Sequence, residues 1–586
     1  MNLPHGEDKH NPSKGSAGSL EPDKRYEMPA LFLLVVVVLL PFLRRAFSMD
    51  DPLFIWMGQQ ILHYPFDPYG FSVNWSVVSQ PMSVVMQNPP LNSYFIAAII
   101  FFAGLSETVL HAAFLLPAIA AVSGTYLVAR RFCTRPFEAT LVAVLTPAFL
   151  VCGSTVMCDM LLLAFWVWAI HFWVRGMDEN SLWKILLASV LITLSALTKY
   201  YGAALLPLLL LYSLLTRRKM GWWLLLALIP VASLIAYNYW TESLYGQGLL
   251  LDAFKLSGQY RDARGISIIS KSLVTLAFAG GCLSSVIFFA PLLWNRKTLA
   301  VLAGIGVALC LLIGLTGNIG SYSLKLVNNE QWLLAAHMGI FIIGGISILI
   351  LAIRDLAANK NADSALLFCW LLGTLLFAGC FNWTVNGRLL LIAAPALGII
   401  IMRRIENKDR GVKASAAFSF ILPLILSSLI ALAAAQADYR FANSQRDAAY
   451  SVHQRFPTKG TMYFQGHWGF QYYMELLGAR PLEYLETKFT KGDVVVVPEN
   501  NTFVDNLSND LKINRMNIFA GGWLSTMNKF KGTAFHSDSW GPVPYGFGLT
   551  VPETYYVIKA DDENLPSLSL LGSDTVRRNN LIVRQP

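Results

Sequence analysis

Apolar runs of about 20 residues recur from residue 30 to residue 436, and no other feature constrains this chain as strongly. A helix of that length is what it takes to cross a hydrocarbon core about 30 Å thick. Inside lipid each backbone N–H and C=O must find its partner within its own segment, so such runs are read as spanning helices. Thirteen are predicted, at 29–47, 109–129, 139–153, 160–174, 183–198, 201–216, 222–240, 272–294, 298–317, 332–353, 364–381, 388–402 and 414–435. Composition agrees: 55% of residues are hydrophobic and only 14% charged, against about 25% charged in soluble domains. Disordered chains and coiled coils need many more charges, so both classes are excluded.

From residue 437 to 586 no run is long enough to span. Helix signals at 443–455 and 469–477 alternate there with strand-like runs at 461–465, 493–497, 511–517 and 554–559. Such alternation predicts a small soluble α/β domain. Residues 1–28 are polar with mixed charge and read as a disordered tail. The expected architecture is therefore an all-α polytopic membrane domain, 29–436, followed by a C-terminal α/β domain, 437–586.

Charge orients this arrangement. The formal net charge is +9, yet residues 437–586 hold 15 Lys+Arg and 15 Asp+Glu, so the excess lies in the membrane part. Nucleic-acid binding needs a concentrated basic face and gains no support. The loops at 130–138, 175–184, 217–219, 295–297, 354–363 and 403–413 hold 17 Lys+Arg and 7 Asp+Glu, whereas the opposite side holds 9 and 9. The positive-inside rule puts the first set in the cytoplasm. That holds only if the apolar stretch 90–105 does not cross, so it is read as a re-entrant or juxtamembrane helix. An integral plasma (inner) membrane protein follows, with a cytoplasmic N-terminus and an extracytoplasmic C-terminal domain. Arg44 and Arg45 break the rule, lying at the outer end of the first span. The seven cysteines form no CxxC and no Cys/His metal pattern, so no disulfide scaffold or metal site is expected.

Ionisable residues at membrane depth are costly and read as functional candidates. On the outer side they are Asp50 and Asp51 after the first span, Asp159 opening the span at 160–174, Lys199 between two spans, and Arg388 at the start of another. A carboxylate there can deprotonate an acceptor hydroxyl or amine, and a cation can hold a phosphate leaving group. Simpler roles exist for each one. Asp51-Pro52 suits a helix start, and Lys199 or Arg388 can snorkel. Their collection on one face is what favours chemistry. The outer loop at 48–90 exceeds the usual length of a connector and is read as the catalytic loop. In the loop 241–271, Glu242 and Arg261 are candidates for acceptor contact.

These pieces resemble a family. The acidic pair Asp50-Asp51, NPPL at 88–91, the Asp of MCDMLLLAF, the Lys of ALTKYYGAALLP and the Arg of GRLLLIAAP occur in the order found in membrane-embedded glycosyltransferases of the C superfold (GT-C). The nearest are the dolichyl-phosphate-mannose–protein mannosyltransferases (glycosyltransferase family 39) and bacterial relatives such as the lipid A aminoarabinose transferases. The resemblance covers roughly residues 30–400. It implies transfer of a sugar from a polyprenyl-phosphate donor to a lipid, glycan or protein acceptor, with inversion and without a nucleotide. It also implies Asp50 as base, Asp159 as second carboxylate, and Lys199 and Arg388 as donor-phosphate ligands. Two departures stand out: the second acid is Asp51 where the family has Glu, and Asn88 stands where relatives carry a basic residue before Pro-Pro. Arg44 and Arg45 are expected to supply the missing phosphate contact. No motif demands a cofactor, although Asp50 and Asp159 are the carboxylates a divalent ion would use. A monomer is expected.

The alternative is a transporter or lipid flippase. Such a protein places ionisable groups near the bilayer midplane and often carries inverted repeats. Here the mid-span positions are nearly free of charge and no internal repeat is visible.

Overall fold

The computed structural model describes residues 24–86, 88–320, 322–324, 330–409, 416–483, 487–504 and 513–559. Most of the expected tail at 1–28 lies outside these residues. Among the described residues, eight helices are long and apolar enough to cross a membrane, or ten if each of two bent pairs is one span. The protein is an integral membrane protein built mainly of helices, with a smaller sheet near its C-terminus.

The difference from thirteen has local causes. The expected span at 139–153 is two helices, Pro136–Val144 and Pro147–Gly153, bent by 67°. Thr146 precedes a proline, which disfavours helical backbone there, and its hydroxyl accepts the Phe149 N–H to start the second helix. A second bent pair, Leu249–Ala263 with Ile268–Cys282, turns by 107° around Gly265. Glu27–Phe42 and Leu182–Thr198 are apolar but short, and so is Leu91–Ala103, the stretch read as re-entrant or juxtamembrane.

The helices pack through small residues where backbones meet. A Cβ on Gly280 would stand 1.9 Å from the Phe341 carbonyl oxygen, and one on Gly345 would stand 2.2 Å from that of Leu276. Glycine at these sites lets Ile268–Cys282 lie directly on Gln331–Asn359. Four buried tryptophans, Trp166, Trp173, Trp294 and Trp370, fill the helical core. At one membrane face the basic helix ends are tied together, with Arg131 on Asp178 and Asp363 and Arg403 on Asp355.

The expected boundary at 436/437 falls inside one continuous helix, Ala416–Arg455, which runs from apolar sequence straight into polar sequence. Beyond it the expected strands form. A five-stranded sheet runs in the order Arg480–Pro481, Met462–Phe464, Val494–Pro498, Glu553–Lys559, Ile513–Ile518. The first three are mutually parallel, and Glu553–Lys559 is antiparallel to both its neighbours. The helix Trp468–Leu476 and the end of Ala416–Arg455 cover one face, burying Phe464, Phe470, Val494 and Val496 between them.

A buried carboxyl at the start of the strand Glu553–Lys559 is expected to give this domain a pH dependence. Among the described residues the Glu553 carboxyl accepts hydrogen bonds from Asn500 Nδ2, at 3.2 and 3.1 Å, and burial pushes its pKa from 4.5 up to about 8. The folded state therefore binds a proton that the unfolded state has lost, and stability falls as pH rises from about 4.5 to about 8. Glu553→Gln is expected to flatten that part of a melting-temperature–pH profile and to raise stability at pH 8.5. An unchanged profile would show that Glu553 ionises freely in the fold.

Candidate active site

Four of the residues singled out in the sequence meet at the end of the membrane helices opposite the basic loops. Asp50 stands just before the helix Asp51–His63, and Met49 ahead of it takes φ 52, a left-handed conformation that is strained for a side chain of this size. The Asp50 carboxylate does not cap its own helix; it accepts a hydrogen bond from Arg388 Nη1 at 2.8 Å. Asp159 opens the helix Asp159–Glu179, where the positive end of the helix dipole favours a negative charge. Its Oδ1 accepts from Lys199 Nζ at 2.7 Å.

Lys199 ends the helix Leu182–Thr198 in extended backbone, and the chain then folds back on itself. Gly202 permits this, because a Cβ there would stand 2.3 Å from the Ser195 carbonyl carbon. Arg388 sits on the short helix Gly387–Leu390, started by the Asn386 side chain accepting from Leu389 N at 3.0 Å. Burial opposes charge on Lys199, but the Asp159 carboxylate outweighs it and holds the ammonium pKa above its ordinary value.

The result is two carboxylate–cation pairs within electrostatic reach of one another. Asp50 is the open member: its side chain is 31% exposed, against 1% for Asp159. Asp159 Oδ2 and Arg388 Nε are buried and make no hydrogen bond among the described residues, so one acceptor and one donor remain at the heart of the cluster.

The other candidates are placed elsewhere. Arg45 and Asp51 are fully buried and face each other at 3.1 Å. Arg45 also reaches Asp438 at 2.8 Å, and Asp438 meets His536 Nε2 at 2.9 Å. Asp51 in turn accepts from the backbone N–H groups of Ser48 and Val156, at 3.0 and 3.1 Å. As placed here, neither Arg45 nor Asp51 presents an atom to solvent. They pin the turn before Asp50 to the turn before Asp159 and to the C-terminal domain. Arg44, next to Arg45, is exposed. The Asn88 carbonyl accepts from Tyr69 Oη at 2.8 Å. Glu242 is exposed on Leu228–Tyr245, and Arg261 reaches Asp262 and the Cys380 carbonyl. No group of three His, Cys, Asp or Glu side chains able to hold a metal ion occurs among the described residues.

Several residues carry the site without any motif to announce them. Tyr69, Tyr237 and Tyr200 form a hydroxyl chain, at 3.2 and 3.3 Å, from the Asn88 turn to the residue after Lys199. Beside it lies an apolar cavity of about 340 Å³ lined by Pro90, Leu91, Tyr94, Leu197, Tyr237 and Trp240. The C-terminal domain also reaches in. The Phe535 carbonyl accepts from Gly387 N at 2.7 Å, directly before Arg388. Buried Asp538 is held by Arg264 at 2.7 Å, by Val385 N at 3.1 Å, and by the hydroxyls of Thr384 and Tyr322. A His and an Asp in FHSDSW look like surface residues in sequence; only packing shows them to be interior.

Comparison with known proteins bears on this geometry. The family model described as dolichyl-phosphate-mannose-protein mannosyltransferase matches residues 87–240. Curated protein sequences give no match. Among solved structures, ArnT from Cupriavidus metallidurans bound to undecaprenyl phosphate is 15% identical over 81% of this chain and 93% of its own, with a TM-score of 0.43. The Archaeoglobus fulgidus oligosaccharyltransferase is 13% identical over 78% of this chain and 65% of its own, with a TM-score of 0.45. The mycobacterial arabinofuranosyltransferase AftD is 12% identical over 92% of this chain and 40% of its own, with a TM-score of 0.39. Over residues 87–240, which hold Asn88, Asp159 and Lys199, the chain resembles the dolichyl-phosphate-mannose-protein mannosyltransferase family.

Proposed function

We propose that this protein is a membrane glycosyltransferase that moves a sugar from a polyprenyl-phosphate donor to a lipid, glycan or protein acceptor at the outer face of the membrane. The observation that carries the proposal is the meeting of Asp50–Arg388 and Asp159–Lys199 at one end of the helices. In this reading Asp50 takes the proton from the acceptor hydroxyl as its oxygen attacks the anomeric carbon. The bond from that carbon to the donor phosphate oxygen breaks, and Lys199 and Arg388 hold the phosphate that leaves. Attack opposite the leaving group inverts the anomeric centre. Asp159 keeps Lys199 charged and in place. The apolar cavity between Pro90, Leu197 and Trp240 suits the first isoprene units of a lipid-linked donor. The basic loops would then be cytoplasmic and the C-terminal domain external.

Purified protein in nanodiscs, given a panel of polyprenyl-phosphate sugars and an extract as acceptor source, tests the proposal by release of free polyprenyl phosphate. Turnover of one donor supports it and names the sugar; no release from any donor would remove it. Lys199→Ala is expected to raise the donor KM about 10- to 100-fold, the effect of losing one hydrogen bond to a charged group. Lys199→Arg should recover part of that loss. A Lys199→Ala enzyme with unchanged KM would take Lys199 out of the phosphate site.

A further inference from the structure

The C-terminal domain carries an exposed apolar surface that the proposed chemistry does not use. Phe519, Trp523, Phe547 and Leu549 are 77%, 80%, 41% and 78% exposed. They lie on two neighbouring loops joined by hydrogen bonds: Gly548 N donates to the Trp523 carbonyl at 2.7 Å, and the Thr550 N–H donates to that of Gly522 at 3.3 Å. Phe547 pairs with Leu524 in a short antiparallel ladder, which fixes one loop against the other. Arg440 Nη1 donates to the Gly521 carbonyl at 3.0 Å and ties the pair to the long helix Ala416–Arg455. Large apolar side chains so exposed on a firmly held soluble domain call for an occupant.

The position of the patch says which. Phe547 stacks on His337 with ring centroids 5.6 Å apart, and its N–H donates to His337 Nε2 at 3.1 Å. His337 belongs to the first turns of the spanning helix Gln331–Asn359. A Cβ on Gly548 would lie 3.6 Å from Leu333 Cδ2 of the same turns. Leu333 and its neighbour Trp332 are themselves exposed, as is Leu315 at the end of the adjoining span Arg296–Thr316. That span is only 17% buried over its apolar window, so its surface faces lipid. The patch is thus continuous with the lipid-facing band at the end of two membrane helices. Its content, three aromatic residues (Phe519, Trp523 and Phe547) and a leucine beside the exposed Trp332, is that of a segment resting at headgroup depth.

We propose that the loops at 519–523 and 547–549 insert into the outer leaflet and that the C-terminal domain is docked on the lipid surface. This holds the domain at a fixed height, with the loop that carries Phe535 and Asp538 pressed against Gly387 and Arg264. The inference is independent of the sugar, of the acceptor and of the transferase reading itself.

The test attaches the environment-sensitive dye NBD to Leu549→Cys and, as a control, to Leu476→Cys. Leu476 is 63% exposed on a helix of the same domain. Both positions are open, so neither change disturbs packing, and unsubstituted protein treated with the dye gives the blank for the native cysteines. In nanodiscs of phosphatidylcholine and phosphatidylglycerol, the dye at 549 is expected to emit to the blue of the dye at 476. It should also be quenched at least three-fold more by lipids bearing a nitroxide near the headgroup. Equal quenching at the two positions overturns the proposal. A blue-shifted dye at 549 that nitroxide lipids do not quench also overturns it, and emission that then varied with protein concentration would name a second copy of this chain as the occupant. A separate enzymatic failure would leave both optical results readable.

Discussion

Replacing Asp50 by Asn is expected to lower kcat by about 10²- to 10⁴-fold, the usual contribution of a positioned general base, without raising the donor KM. The substitution keeps the size and the oxygen that Arg388 contacts at 2.8 Å, but it removes the basicity that accepts the acceptor's proton. Arg388 loses its charged partner at the same time and is freer to meet a phosphate, so the donor KM should stay level or fall. This is the opposite of the pattern expected for Lys199→Ala. The two variants together separate a base from a phosphate ligand by the split between kcat and KM. Free polyprenyl phosphate, followed at several donor concentrations, is the readout. Asp50→Asn turning over at the wild-type rate would move the base elsewhere in the cluster, with Asp159 the remaining carboxylate.

The second large effect is expected in the buried network that adjoins the site. Asp438 is fully buried and holds Arg45 at 2.8 Å, His536 at 2.9 Å and the Thr526 hydroxyl at 3.2 Å. Asp438→Asn leaves Arg45 its second partner Asp51, but it takes the charged acceptor from Arg45 and from His536 at once, and a hydrogen bond to a charged group is typically worth about 1.5–3 kcal/mol. Asp438→Asn is therefore expected to lower the melting temperature of the purified protein markedly. It should also reduce kcat, because Arg45 connects through Asp51 to the turns that carry Asp50 and Asp159. Arg45→Gln acts on the same network and should not add fully to Asp438→Asn in the double variant. Full additivity of the two, or a wild-type melting curve for Asp438→Asn, would show that the four residues do not act as a unit.

Much of the site was legible because its residues violate a rule. A lysine between two apolar spans and an aspartate opening another are conspicuous against 14% charge, whereas their pairing at 2.7 Å is something only the structure shows. The same reasoning gave Arg44 and Arg45 a ligand's role, because they break the charge rule at the outer end of the first span. The structure instead surrounds Arg45 with Asp51 and Asp438, the latter nearly four hundred residues away. No sequence period relates those positions, so nothing local could foretell the pairing. The helix Asp51–His63 was likewise hidden in a loop: eight of its thirteen residues are buried, which erases the one-sided pattern that marks a surface helix. In the C-terminal domain the strands around 462–464, 494–498, 513–518 and 553–559 fell where alternation and β-branched runs placed them.

The sequence by itself determined the solvent of this protein and the face on which the candidate site residues collect. Both follow from the cost of placing apolar runs in water and charges in lipid, and that cost is set residue by residue. Which helices are bent or continuous and which charges meet were decided only by the tertiary structure. A Thr-Pro step breaks one span, and the helix Ala416–Arg455 carries membrane and soluble sequence without a joint. The tail segment around His536 and Asp538 becomes part of the site because buried ions must find partners wherever the fold brings them.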